Sequence, residues 1–434
     1  MSLALTRPTP RGWCPGALRP MESGDGLIVR LRPRCGAFTT SELHLVAELS
    51  ARYGNGSIDL TRRANLQLRG LREADLPHLW EALAAAGLLD ESAEAESVRN
   101  VMVSPLAGLA PDEIADPRPI ASRLERLLAG DDRLWELPGK FGFGVDGGGA
   151  FTIAGERADI RLRTVQANSP KMALGLDRKD GVDWVGTTGP DDAAVVAVKA
   201  ALGFLDVRGD QKDRLRDLAD PDYDRLRTAL AAELTPDPAP CPALPEVTGR
   251  NRTLGILSQD GDLSQDGNPF AFAFAAPFGR IEAKHLRTMA EIADETGIPE
   301  MRLSPWRTLY APLPDPASGE ALAMAAIDAG FILDESDPLL AIDACPGVSG
   351  CRQTHLDTRQ AARALAPHIK RLGVCSCHVS GCAKGCARST PADLVLVGSG
   401  QDYGVSRGAT AQAAPCAVVP QTQIPRLLRL FETL

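Results

Sequence analysis

Six of the ten cysteines in this 434-residue chain fall between Cys345 and Cys386. Four of them form two pairs, C-x5-C in CPGVSGC and C-x3-C in CAKGC, with thirty residues between. Dense thiols in a chain expected to be cytoplasmic point to metal rather than to disulfides. A cubane needs four thiolates at tetrahedral corners, and small residues that let backbone amides approach the sulfurs. Gly347, Gly350 and Gly385 supply them, so Cys345, Cys351, Cys382 and Cys386 are the candidate ligands. Structural zinc is the competing reading, although it usually uses tighter C-x2–4-C knuckles. Cys375 and Cys377 read either as further ligands or redox thiols, or as small buried strand residues. His378, inside CHVSGC, could bind a second iron or donate a proton, but a lone strand histidine is more often a core residue. Cys14, Cys35, Cys241 and Cys416 are isolated.

The chain must position those thiols, and it reads as a duplication. At an offset of 243, SELHLVAELSARYGNGSIDLTRRANL lies on KHLRTMAEIADETGIPEMRLSPWRTL without a gap, matching Leu43 to Leu286, Ala47 to Ala290 and Gly54 to Gly297. The pattern is a helix, a glycine turn and an alternating strand. At 241, SPLAGLAPDEIADPR lies on CPGVSGCRQTHLDTR, and LPGKFGFGV on HVSGCAKGC. Ser104, Ala110, Phe141 and Val145 then stand opposite the four cysteines, so only the second half would hold metal. Five units are expected: small units at 14–85 and 250–318, larger α/β units at 90–234 and 335–434, and a Pro-rich linker at 235–249.

Net charge is −9 and aromatics make up 5% of the chain, a poor footprint for a nucleic-acid partner. No apolar run reaches a membrane span, and MSLALTRPTPRGW has no long apolar stretch, so neither membrane insertion nor export is expected. Only eight of the 47 basic residues are lysines, and the first 75 residues carry eleven Arg against seven Asp plus Glu. Arginine grips carboxylates bidentately, so the bias points to a local anionic ligand, or simply to arginine-rich codon usage. GVDGGGAF has glycines but opens a strand rather than a helix, so no dinucleotide site is expected.

The ordered pair C-x5-C and C-x3-C in the second of two repeated halves resembles the sulfite/nitrite reductase superfamily, where four thiolates hold a [4Fe–4S] cluster beside a sirohaem. IDLTRRANLQLRGL resembles the strand presenting an anion-binding arginine, here Arg63; SVRNVM the segment with a second, Arg99; LPGKFGFG the lysine-bearing strand, here Lys140. The implied fold is α+β and duplicated: two ferredoxin-like half-domains and two larger α/β domains about a pseudo-two-fold, the second carrying the cluster. Two positions depart from the family pattern. Gly142 stands where the reductases carry a second pocket lysine, and Arg388 where a histidine follows CA.

GWCPGALRPMESGDGLIVRL, GNGSIDLTRRANLQLRGL and HVSGCAKGCA resemble the precorrin-3B synthase branch of that superfamily. This resemblance implies an O2-dependent monooxygenase of aerobic cobalamin biosynthesis. It acts on precorrin-3A, placing a hydroxyl at C-20 and closing a ring-A acetate to a γ-lactone. The implied cofactors are a [4Fe–4S] cluster and a mononuclear iron; electrons come from an external donor, an NADH-linked reductase. A polycarboxylate tetrapyrrole needs several fixed cations. Arg62, Arg63, Arg69, Arg99, Arg307 and Lys140 are the candidates, with Asn65 and Gln67 as further hydrogen-bonding partners, and Arg63, Arg99 and Lys140 expected to share one cavity. No catalytic residue is singled out. The alternatives are a sirohaem-dependent sulfite or nitrite reductase, and a non-catalytic Fe–S tetrapyrrole carrier or sensor.

Overall fold

A computed structural model describes residues 14–166, 168–209, 214–236, 253–258 and 269–426. Cys241 and most of the Pro-rich linker lie outside the described residues; Thr235, at the linker's edge, exchanges backbone hydrogen bonds with Thr187 at 2.8 and 3.0 Å.

The first small unit holds β1 (Met21–Ser23), β2 (Gly26–Leu31), β3 (Ala37–Thr39), α1 (Thr40–Tyr53), β4 (Ser57–Leu60), β5 (Leu66–Leu71) and α2 (Leu76–Ala85). The first α/β unit holds α3 (Ala93–Val98), β6 (Val101–Val103), α4 (Arg118–Gly130), β7 (Phe143–Asp146), β8 (Ile160–Val165), β9 (Lys171–Arg178), β10 (Gly181–Thr188), α5 (Pro190–Val207) and α6 (Asp220–Ala231). The second small unit holds β11 (Gly255–Ser258), β12 (Pro269–Ala275), β13 (Arg280–Glu282), α7 (Ala283–Glu295), β14 (Glu300–Leu303), β15 (Thr308–Pro312) and α8 (Pro316–Asp328). The last unit holds β16 (Ile342–Ala344), α9 (Thr358–Leu365), β17 (Cys377–Ser380), β18 (Ala392–Ser399), β19 (Asp402–Ala409) and β20 (Ala417–Pro420).

The two small units exchange an edge strand. Their sheets run β1-β2-β5-β4-β13 and β11-β12-β15-β14-β3, so each ends on a strand from the other half. Ile281 pairs with Ile58, and Met301 with Phe38. Each borrowed strand feeds a helix. Thr39 and Glu42 close a reciprocal cap at the start of α1, with 3.2 and 2.7 Å bonds. Apolar residues three and four apart on α1 (Leu43, Val46, Ala47) and on α7 (Leu286, Met289, Ala290) then share one core. Burying each leucine there contributes roughly 1.5–3 kcal/mol. The repeat at offset 243 is therefore physical, down to its turns. Ala64 and Arg307, 243 apart, both take left-handed φ, 51° and 63°, in hairpins closed by Thr61–Asn65 and Ser304–Thr308 backbone bonds.

The two α/β units share a topology: β6, β7 and β8 are parallel neighbours followed by antiparallel β9 and β10, and β16 to β20 repeat this order. Their ladders correct one sequence match. Val101 pairs with Phe143 and Phe143 with Ile160, while Ile342 pairs with Cys377 and Cys377 with Leu394. Phe143 is thus the counterpart of Cys377, a shift of 234 rather than 241. LPGKFGFGV does not lie on HVSGCAKGC, because the connection from the first strand to the second is seven residues shorter in the last unit, which no ungapped comparison can register. In the corrected register Gly381 matches Gly147, not Lys140, and Cys382 and Cys386 match Gly148 and Thr152. The glycines of GVDGGGAF close β7 rather than open a strand, and no helix follows them. Among the described residues no helix is long and apolar enough to cross a membrane.

Candidate cluster and substrate site

Parallel pairing of β16 with β17 brings the ends of both strands to one edge of the sheet, so the loops CPGVSGC and GCAKGC emerge side by side. The Gly381 amide donates to the Cys345 sulfur at 3.2 Å, and the Gln353 amide to the Cys351 sulfur at 3.5 Å. A Cβ on Gly381 would stand 2.5 Å from Thr354 Cγ2, so only glycine lets this amide come so close. Burial pushes the Cys386 thiol up to about 11, with Cys345, Cys382 and Cys351 adding to the rise against Lys384. Burial likewise raises Cys382, opposed by the Lys384 amide and reinforced by Cys351 and Cys345. The four thiols therefore lie within electrostatic reach of one another, where bound cationic iron would reverse that cost.

Among the described residues no three His, Cys, Asp or Glu side chains converge on one metal position. A zinc ion requires such convergence, whereas thiolates around a cubane each bind a different iron and stand further apart. Amide donors and glycine approach at the sulfurs fit a cluster. Cys377 is buried on β17, and Cys375 is exposed with its amide bonded to Asp393. In the first α/β unit the corresponding space is filled by protein. Ser104 and Thr152, counterparts of Cys345 and Cys386, both donate to the buried Asp146 carboxylate, at 3.1 and 2.7 Å.

Two carboxylates, each gripped by three arginines, tie this unit to the small ones. Asp343 receives Arg307 at 2.8 Å, Arg388 at 3.1 Å and Arg62 at 3.4 Å. Asp59 receives Arg280 at 2.6 Å, and Arg69 and Arg359 at 3.2 Å. Burial pushes both carboxyls up, but the arginines outweigh it and hold each well below the usual carboxylate range. Arg388, where the family pattern has histidine, is thus an ion-pair partner. His378 faces the same Asp343 group. It is fully buried, and among the described residues neither ring nitrogen has a partner. Burial, with Arg388, Arg307 and Arg62 adding and Asp343 opposing, lowers it to about 4, so the ring is neutral.

Arg63, on the turn before β5, lines a small cavity with Asn65, Asn100, Gly142 and Arg157. Its Nη2 donates to the Lys140 carbonyl at 2.5 Å, while the Lys140 side chain is exposed. A Cβ at Gly142 would meet Asn100 O at 3.4 Å and Arg63 Nη1 at 3.6 Å, so the missing lysine position does face this cavity.

Three expected partners are not there. Arg99 is buried, with all three guanidinium nitrogens occupied by Asp90 and the carbonyls of Arg32 and Pro33. Arg69 is likewise occupied, by Asp25, Asp59, Ser23 and the Gly350 carbonyl. The Gln67 side-chain oxygen faces Arg30, at 2.9 and 3.1 Å. Burial inside ion-pair networks occupies the donors of Arg99 and Arg69, and Gln67 is half-buried against Arg30. The sequence reading missed Arg30 and Arg32, whose neighbour Cys14 lines a further cavity of about 230 Å³ with Arg19, Glu96 and Trp135. The only sequence signal was the local excess of arginine. Trp306, the counterpart of Arg63, donates to Glu156 at 2.7 Å and fills its side with an aromatic group.

The duplicated fold and thiol-bearing unit agree with the comparisons. Residues 19–86 and 263–322 match the nitrite/sulfite reductase ferredoxin-like half domain, and residues 94–233 the nitrite and sulphite reductase 4Fe-4S domain. The chain belongs to the nitrite/sulfite reductase family. Within it, the chain is 34% identical over 416 residues to a precorrin-3B synthase from Sinorhizobium sp, covering 94% of this chain and 85% of that one. It is 29% identical over 414 residues to ferredoxin–nitrite reductase of Synechococcus elongatus, covering 88% and 78%. The NirA protein of Mycobacterium tuberculosis has the same fold, with a TM-score of 0.72 at 20% identity, covering 94% of this chain and 80% of that one. These relatives are oxidoreductases, and the domain match supports an iron–sulfur cluster. The matched 4Fe-4S unit, 94–233, contains no cysteine; the thiols sit in its structural repeat.

Proposed function

We propose that this chain is a cytoplasmic precorrin-3B synthase, using O2 to hydroxylate precorrin-3A at C-20 with closure of the γ-lactone. The carrying observation is Gly142. The cavity that would cradle a small oxyanion has one lysine position emptied to glycine beside Arg63. Six-electron reduction of sulfite or nitrite consumes protons at a bound oxyanion, and positive side chains hold the anion and relay protons. Precorrin-3A needs fixed cations for its carboxylate arms instead, and the greater identity to a precorrin-3B synthase supports the same reading.

Cys345, Cys351, Cys382 and Cys386 would hold the [4Fe–4S] cluster, with the Gly381 and Gln353 amides supporting its thiolates. When bound, the cluster supplies single electrons, delivered from outside by an NADH-linked reductase. For a mononuclear iron no ligand set assembles among the described residues. Arg63 binds a substrate carboxylate. Arg62, whose side chain is 41% exposed beside Asp343, offers a second cation, and Arg307 behind it sets the charge surplus of that group. Asn65 supplies a neutral hydrogen bond that orients the macrocycle, which decides the carbon presented for oxidation, while Asn100 is held by Ser97, Phe141 and Arg32.

The test is incubation of the purified protein with precorrin-3A, reductant and O2. A product heavier by one oxygen atom, dependent on O2, is expected. Tightly bound sirohaem, seen as strong Soret and red bands, with sulfite or nitrite turnover, would overturn the reading.

A further inference from the structure

Tyr403 lies on β19, is wholly inaccessible, and its hydroxyl has no hydrogen-bond partner among the described residues. Such a group is costly to bury unless something absent from the protein's own atoms accepts or donates to it. Its position says what that partner is. Tyr403 pairs with Gly398 across the β18–β19 ladder. Gly398 lies directly beneath Gly381, since a Cβ there would stand 2.5 Å from the Gly381 carbonyl oxygen. Gly381 is the residue whose amide donates to the Cys345 sulfur. The phenol also lies on the sheet face covered by α9, and Cys345 and Asp357 are within its electrostatic reach. Burial first, then those two groups, push the phenol up, so it keeps its proton and remains a donor.

We propose that Tyr403 is a positioning residue for the iron–sulfur cluster, donating its hydroxyl hydrogen bond to the sulfur shell on the Cys345 side and thereby raising the cluster's reduction potential. The proposal rests on the cluster reading above. A hydrogen bond to cluster sulfur stabilises the more negative, reduced state, so its loss disfavours reduction. The other tyrosine with a buried hydroxyl on a central strand, Tyr310 on β15, packs against Phe151, in a different core. It serves as the control for loss of a buried phenol.

The experiment is an EPR-monitored redox titration of wild type, Tyr403→Phe and Tyr310→Phe, with iron and sulfide analysis of each. Tyr403→Phe should keep its iron and sulfide while the reduced-to-oxidised ratio at a fixed potential falls several-fold, on the order of fivefold for one neutral hydrogen bond. Tyr310→Phe should titrate like wild type. In D2O, pulsed EPR of the reduced cluster should show an exchangeable-deuteron coupling in wild type that Tyr403→Phe lacks. A Tyr403→Phe protein with full cluster, unchanged titration and unchanged deuteron coupling overturns the proposal. Wild-type protein without a reducible cluster would instead overturn the cluster reading. Should Tyr403→Phe lose its cluster, a wild-type deuteron coupling beyond those of the Gly381 and Gln353 amides decides alone, and its absence defeats the hydrogen bond.

Discussion

Arg69, on β5 of the first half, donates from Nη2 to the carbonyl oxygen of Gly350 in the CPGVSGC loop, at 2.9 Å. A side chain expected to meet a substrate carboxylate is therefore a clasp between halves. It also carries Asp25 at 2.8 Å and Asp59 at 3.2 Å, so loop, strand and turn are held by one guanidinium. Arg69→Ala should leave Asp25 and Asp59 short of a partner and loosen the loop bearing Cys345 and Cys351. Iron and sulfide content after reconstitution should fall while Arg63→Ala retains both; equal content in the two variants would remove Arg69 from cluster assembly.

The thiols divide into two classes. Cys345, Cys351, Cys382 or Cys386 replaced by serine should cripple cluster assembly, because a hydroxyl is a far poorer iron ligand than a thiolate. Cys14→Ser, Cys35→Ser, Cys375→Ser and Cys416→Ser should retain it. The broad absorbance of the cluster and iron analysis report the difference. Retention in Cys382→Ser with loss in Cys375→Ser would shift the ligand set.

Arg63→Ala should weaken binding of the polycarboxylate substrate by about 1.5–3 kcal/mol, the range for a charge-assisted hydrogen bond. Arg99→Ala should instead lower stability, because it strands the buried Asp90 carboxylate. Substrate affinity and denaturant midpoint, measured on both variants, separate the roles.

Asp343 and Asp59 make stability fall in acid. Each has a carboxyl held below its ordinary value of 3.8, so the contribution is complete above that pH and is lost as pH falls further. Asp343→Ala, which leaves Arg307 and Arg388 without their carboxylate, should cost about 3–5 kcal/mol at neutral pH. Urea unfolding at pH 7 measures it, and a change under about 1 kcal/mol would contradict the buried hub.

His378 acts in a higher window. Its folded value near 4 lies below the ordinary 6.5, so the unfolded chain binds the extra proton first. Stability should be full above pH 6.5 and decline toward pH 4 by about 3 kcal/mol, at 1.36 kcal/mol per unit. His378→Leu should flatten that decline in denaturant unfolding at pH 7, 6 and 5. Glu113 has the opposite sign. Burial, then Asp116 and Asp146, push it up to about 7 against the Gly108 amide and Arg118, so its ionisation weakens the fold as pH rises from 4.5 through 7.

Much of this protein was legible along the chain. The pairing of C-x5-C with C-x3-C singled out four thiols that the sheet does bring to one edge, because the spacing of thiols and glycines within each loop is a local property of sequence. The ungapped repeat at 243 likewise anticipated the paired helices and hairpins, since their apolar periodicity survives any divergence that keeps the core. Tertiary structure alone decided the exchange of β3 and β13 between the small sheets, because strand partners are chosen by long-range burial and not by the strand's own residues. It alone decided which arginines remain available. Arg62, Arg63, Arg69 and Arg99 look alike in sequence, yet two are enclosed by Asp25, Asp59 and Asp90, and a guanidinium with its donors occupied cannot hold a ligand. The seven-residue slip between LPGKFGFGV and HVSGCAKGC belongs to the same class. A loop can change length without disturbing the hydrogen-bonded ladder on either side, and only the ladder records which residues face each other.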